Sequence, residues 1–200
     1  PKTGEPVGID RGWGYLPGDT VADTVSQMAA KTLQWDYTLA KAYMQGVPEG
    51  VRDTLARAYR DLPSVADATR RYAARVLDGK TEGLAQYHTL GLLTSEDARR
   101  VAGLKKLDVS GYDYALDRDA VGHVRIEHGE DAVEVRRGQR AVTAADYRRL
   151  PAILNAPDAV EDAGASRIGT PLVRFVKKFG AEEYVAVFGV RRGRRMLGLQ

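Results

Sequence analysis

Apolar residues recur at helical spacing through the first part of this 200-residue chain and at alternate positions through its last part. Val21, Val25, Met28 and Leu33 mark a first helix, with Asp19 and Thr20 placed to cap it. Gly46 and Pro48 interrupt the pattern. Val51, Leu55, Ala58 and Leu62 mark a second helix, Pro63 restarts the chain, and Val65, Ala68, Tyr72 and Val76 form a third stripe that Gly79 closes. These stripes are narrow and backed by charge, which predicts a helical hairpin or bundle over residues 19–82. Residues 1–18, with GWGYLPG, are too rich in Gly and Pro for regular structure and read as an extended arm or linker. Trp13, Tyr15 and Leu16 remain able to dock on a surface.

Residues 80–93 read as a mixed connection. Thr94 then opens a short helix, with Asp97 in the capping-box position and Gly103 as its close. LDVSGYDYAL, from Leu107, has strand-like alternation with a Gly break. Asp117 or Asp119 caps a helix that Gly129 ends. Thr143 and Asp146 open another, whose buried stripe is Tyr147, Leu150, Ile153 and Leu154; Pro151 kinks or restarts it, and Pro157 prevents its continuation. Period-two alternation follows. Val173 and Phe175 face one way, and Arg174 and Lys178 the other, beside Leu172 and Val176. Tyr184, Ala186 and Phe188 oppose Val185 and Val187. Arg191–Arg194 is a turn in which Gly193 supplies a positive φ, and Arg195–Gln200 returns as a strand. The prediction is an α+β chain, in which the N-terminal helical part precedes a second domain over residues 83–200 of helices packed on an antiparallel meander.

Composition narrows the classes little. Apolar residues make up 44% and charged residues 28%, as in a folded globular chain, and the net charge is only +3. The basic excess gathers late: residues 167–195 hold eight Arg and Lys against Glu182 and Glu183. The absence of cysteine excludes disulfides and thiolate metal sites. No apolar run approaches the roughly 20 residues that span a bilayer, so no membrane partner is expected. No signal peptide is visible, and the opening PKTGEPVGID without methionine reads as part of a longer protein.

The chemistry-bearing stretch is DAVGHVRIEHG, residues 119–129, which holds two of the three histidines, His123 and His128. Imidazole titrates near neutral pH, so such groups beside cations can move protons around a phosphate. A metal-free ribonuclease needs a base for the 2′-hydroxyl proton, an acid for the leaving 5′-oxygen, and cations for the charge that builds between these steps. The 2′-hydroxyl selects RNA. Five residues separate the histidines by about 140° around a helix. His123 lies with Glu127, four residues on, and is the better acid–base candidate. His128 falls beside Val121 and Val124, in a last turn that favours the imidazolium; it is either a second catalytic group or a buried structural one. Arg125, Arg174 and Lys178 are the candidate phosphate holders, and the last two are placed mid-strand among apolar neighbours. The spacing is poor for zinc, and no cofactor is expected. His88, beside Tyr87 with no orienting partner near it in sequence, reads as structural. The opposing reading makes His123 and His128 packing residues and the arginines at 191, 192, 194 and 195 solvated turn charges.

The order LDVSGYDYALDRDAVGHVRIEHG, RAVTAADYRRLPAILNAPDAV, LVRFVKKFG, YVAVFGVR and RRMLGL resembles the phage-encoded nucleases of the barnase–EndoU–colicin–RelE superfamily, found at the C-terminus of Mu F-like head morphogenesis (minor head) proteins. GWGYLPG is similar to a stretch that follows the Mu F-like core. The resemblance covers residues 84–200. It implies helices packed on a four-stranded antiparallel sheet, RNA cleavage by transesterification, and His123 and His128 as the family's helix histidines. It implies Arg174, Lys177 and Lys178 as its basic strand. It further implies a virion toxin or effector carried in the phage head and delivered to the bacterial cytoplasm. Its partners would be RNA (tRNA or another structured host RNA), capsid or portal proteins and an immunity protein. The alternative is a non-catalytic virion structural or adaptor module that binds nucleic acid, capsid or portal. An ADP-ribosyltransferase ranks last, since no nicotinamide-site pattern is present. The helical part is also placed to cover the nuclease until ejection.

Overall fold

The structure, a computed structural model, describes the backbone of residues 46–128 and 140–200 and the side chains of all of these except 125–128. The expected arm over 1–18 and the helix around Val21–Leu33 lie outside the described residues, as do the side chains of Arg125, Glu127 and His128. Pro63 divides the next helical stretch as its chemistry requires. Helix α1 (Glu49–Asp61) ends at Leu62, whose extended backbone (φ −66°, ψ 126°) also caps α2 (Pro63–Leu77). Proline at the first helical position forfeits an N–H that has no helical partner there. The α2 C-terminus closes as expected: Gly79 takes φ +73°, and the Lys80 N–H donates to Arg75 O at 2.7 Å.

The two helices are not a free-standing bundle. Tyr72, Ala73 and Val76 of α2 are buried in one cluster with Leu90, Leu116, Phe175 and Phe188. The other elements, in chain order, are β1 (Tyr87–Leu92), α3 (Ser95–Lys105), β2 (Asp113–Asp117), α4 (Arg118–His128), α5 (Ala144–Tyr147), α6 (Leu150–Asn155), β3 (Ala159–Ala165), β4 (Pro171–Phe179), β5 (Glu182–Arg191), a 3₁₀ turn (Arg192–Arg194) and β6 (Met196–Leu199). The Thr94–Asp97 and Thr143–Asp146 capping boxes both form.

The mixed α+β class holds, but the sheet has six strands rather than four, in the order β1-β2-β6-β5-β4-β3. One neighbour pair, β2–β6, is parallel; the rest are antiparallel. Two strands lay hidden in the sequence. β1 carries a bulge between Thr89 and Gly91 that breaks its alternation. β3, AVEDAGA, is a polar edge strand of low β-propensity, held by pairing with β4. The last turn is also built differently. Gly193 sits in the 3₁₀ turn, and the left-handed residue is Arg195 (φ 49°), whose O accepts the Asp113 N–H at 3.2 Å.

The core lies on one face of the sheet. Tyr114, Phe175 and Phe188 meet edge to face with centroids 5.5–5.7 Å apart. Gly91 borders this core at φ +96°, and a Cβ there would stand 2.6 Å from Cδ1 of Tyr59. Gly91→Ala is therefore expected to cost more than about 2 kcal/mol and lower Tm by roughly 4–8 °C in a thermal melt. An unchanged Tm would contradict this packing.

Candidate functional site

Helix α4 leaves the sheet at a well-tied corner. Asp117, the last residue of β2, is 5% exposed. Its Oδ1 accepts the Asp119 N–H at 2.9 Å and the Gln86 side-chain amide at 2.7 Å. Its Oδ2 accepts from Arg191 of β5. Asp117 thus starts α4, one of the two caps expected. Val121 anchors the helix in the core, and α4 packs on α2 and β2. His123 is exposed, so its imidazole is accessible to a substrate.

The β4 cations are arranged otherwise. Arg174 lies on the face opposite Val173 and Phe175 and binds Glu161, its cross-strand neighbour on β3, with Nε 2.8 Å from Oε2. Lys178 Nζ is 3.8 Å from Glu183 of β5. Lys177 donates to Ala156 O and lies 3.9 Å from Asp158. β4 is three strand spacings from β2, about 14 Å. Val121 puts α4 on the helix-covered face, whereas Arg174 and Lys178 point from the other one. The structure does not bring Arg174 or Lys178 onto one cleft with His123.

His88 is placed where a structural histidine belongs. Its ring stacks on Tyr72 of α2 (centroids 5.1 Å apart, 22° between planes), and Nε2 lies 3.1 Å from Thr69 Oγ1. Burial, aided by the nearby Arg71 charge, pushes its pKa down to about 4. The unfolded chain takes up this proton first, near pH 6.5, so stability is complete above that pH and falls as pH drops from 6.5 towards 4. The expected loss is roughly 2 kcal/mol between pH 8 and pH 5. Denaturant titrations should show this slope and lose most of it in His88→Gln.

The sheet face away from the helices carries the groups that sequence reasoning missed. Residues alternating with the core positions Tyr114, Leu116, Phe188, Val190, Leu197 and Leu199 are Ala115, Asp117, Gly189, Arg191, Met196 and Gly198. Gly198 pairs with Ala115 on one side and Gly189 on the other. Arg191 crosses this trough to reach Asp117: a Cβ on Gly198 would stand 3.0 Å from Arg191 Nε. Arg194 lies over Tyr87, 5.0 Å from its ring centroid, and Tyr87 is the β1 partner of Asp117. Two glycines within adjacent strands were the available signal, since strand glycines mark close approach.

Two other polar concentrations are self-contained. Arg140, Asp146, Glu182 and Tyr184 satisfy one another, and Arg149 covers the Phe179 and Tyr184 rings at 4.9 and 4.7 Å. Burial alone would raise the Asp146 pKa, but hydrogen bonds from Arg140 and Thr143 hold it down to about 2. A cleft of about 160 Å³ between α1, α3 and the loop before β2 is lined by Glu49, Arg52, Ser95, Arg99, Asp108 and Ser110. It is small for a ligand site. Among the described residues there is no group of three His, Asp or Glu placed to hold a metal ion, and no helix long and apolar enough to cross a membrane.

The fold and site define a small α+β domain with helices on one sheet face and a charged corner on the other. Residues 93–199 match the model of the phage-Barnase-EndoU-ColicinE5/D-RelE like nuclease 3 family, and the chain belongs to that family. The family supports a nuclease function. No curated protein and no solved structure matches the chain.

Proposed function

We propose that the chain is a metal-independent endoribonuclease that cleaves through the 2′-hydroxyl, encoded by a phage and delivered from the virion head into the bacterial cytoplasm as a toxin acting on host RNA. Membership of a nuclease family whose description names phage supports the reading. The observation that carries the chemistry is an exposed imidazole, His123, on a helix anchored beside the Asp117–Arg191 pair. In this reading His123 exchanges a proton with the ribose 2′-oxygen or the leaving 5′-oxygen. Glu127 orients His123 or shares its proton, and His128 is the second group of the acid–base pair. Cationic side chains hold the phosphate through charge-assisted hydrogen bonds. Arg125 is one of these; Arg174, Lys177 and Lys178 must first leave their present partners to contribute.

The test is incubation of the full chain with structured RNA, tRNA included, in excess EDTA. Cleavage with 2′,3′-cyclic phosphate ends supports the reading. Salt-sensitive binding of RNA and DNA alike, without products, supports a non-catalytic virion adaptor instead. Co-purification with capsid, portal or an immunity protein would test those partners separately.

A further inference from the structure

We propose that the β5–β6 turn, through Arg192 and Arg194 with Arg191 behind them, is the phosphate-gripping element of the RNA site, and that Arg194 on Tyr87 is its base-stacking platform. The proposal rests on the ribonuclease reading and names where its substrate is held. Four arginines fall within five residues, 191–195. Solvated turn charges would be unpinned, but three of the four guanidinium groups are pinned. Arg191 is held by Asp117, Arg194 by the Tyr87 ring, and Arg195 by the Tyr112 ring (5.3 Å) and Ser110 O (3.0 Å). The turn is fixed by the left-handed Arg195 backbone and its bond from Asp113.

Pinning matters because an arginine already held in place loses less conformational freedom when it binds an anion. A guanidinium lying on a tyrosine keeps its N–H edge for phosphate oxygens and its other face for a nucleobase. Arg174 and Lys178 are paired with Glu161 and Glu183, as Arg191 is with Asp117, and each must surrender a carboxylate before it can grip phosphate; Arg194 is held by a ring instead. Position agrees with this. The Arg191 and Arg194 guanidinium groups end at Asp117 and Tyr87, a cross-strand pair, and α4 with His123 departs from Asp117. A phosphodiester held there lies at the residue from which α4 starts, six positions before His123. Asp117 is a positioning residue: it fixes Arg191 across Gly198.

The experiment measures binding of a fully 2′-O-methylated, fluorescently labelled single-stranded RNA, which cannot undergo transesterification, by anisotropy at several salt concentrations. Arg192→Ala/Arg194→Ala is expected to raise Kd at least tenfold and to reduce the slope of log Kd against log salt by about 1–2. Arg174→Ala/Lys178→Ala, whose cations must first leave Glu161 and Glu183, should raise Kd less than the turn pair does, Tyr87→Leu should weaken binding severalfold, and Tyr87→Phe should not. Arg192 and Arg194 are exposed, so Tm should stay within a few degrees of wild type. If wild type binds and cleaves RNA while the turn variant binds equally well, or the β4 variant loses more, the turn assignment is overturned and the ribonuclease reading stands. If the turn variant loses binding but wild type never cleaves unmodified RNA, the grip stands and the ribonuclease reading falls. If wild type neither binds nor cleaves, both fall.

Discussion

His123→Ala is expected to lower kcat/KM for RNA by about 10²–10⁴-fold, the range that one positioned acid or base contributes. In the proposed reaction the imidazole acts in the transition state and not in holding the chain, so most of the loss should fall on kcat. His123 is exposed on α4, while the helix is anchored by Val121 and begun by Asp117. Truncation should therefore move stability by less than about 0.5 kcal/mol. Steady-state cleavage assays beside a thermal melt check both halves. Equal activity in the variant would remove His123 from the mechanism.

Arg60→Met is expected to destabilise the fold by about 3–5 kcal/mol, the cost of leaving a buried carboxylate without its cation. Arg60 is 2% exposed. Its Nε donates to Asn155 Oδ1 at 2.6 Å, another N–H donates to Leu92 O, and the guanidinium lies 3.5 Å from Asp97 Oδ2 and 5.5 Å from the Tyr114 ring centroid. One side chain therefore ties α1 to α6, β1, α3 and the core of β2. Tm should fall by about 6–20 °C. Arg174→Met breaks an exposed pair instead and should cost less than about 1 kcal/mol. Adding Asp97→Asn to Arg60→Met should recover part of the loss. Chemical denaturation of the variants measures all of this, and near-equal costs for Arg60→Met and Arg174→Met would refute the account of the core.

What the sequence revealed follows from the range of the forces involved. Local signals read correctly: Pro63 between two helices, Gly79 as a cap, the two capping boxes, and the alternation of Val173, Phe175 and Phe188. Signals that depend on distant partners did not. The bulge at Gly91 is intelligible only against the Tyr59 ring, and β3 is a strand because β4 pairs with it. The parallel β2–β6 contact joins segments far apart in the chain. The same holds at the site. The histidine helix is a local pattern, and α4 forms where the sequence puts it. The arginine turn looks like solvated charge until Tyr87, Tyr112 and Asp117 are folded against it. Arg174 and Lys178 stand mid-strand in the sequence, and only the fold shows that they pair with Glu161 and Glu183.

The central claim is that the chain breaks RNA through its own 2′-hydroxyl without a metal. It is tested most directly with one oligoribonucleotide and its counterpart carrying a single 2′-deoxy substitution at the cleaved nucleotide, both in excess EDTA. The expected result is cleavage of the all-ribose strand to a 2′,3′-cyclic phosphate end and no cleavage at the substituted position. Cleavage of both strands alike, or activity that appears only when a divalent metal is restored, would contradict it.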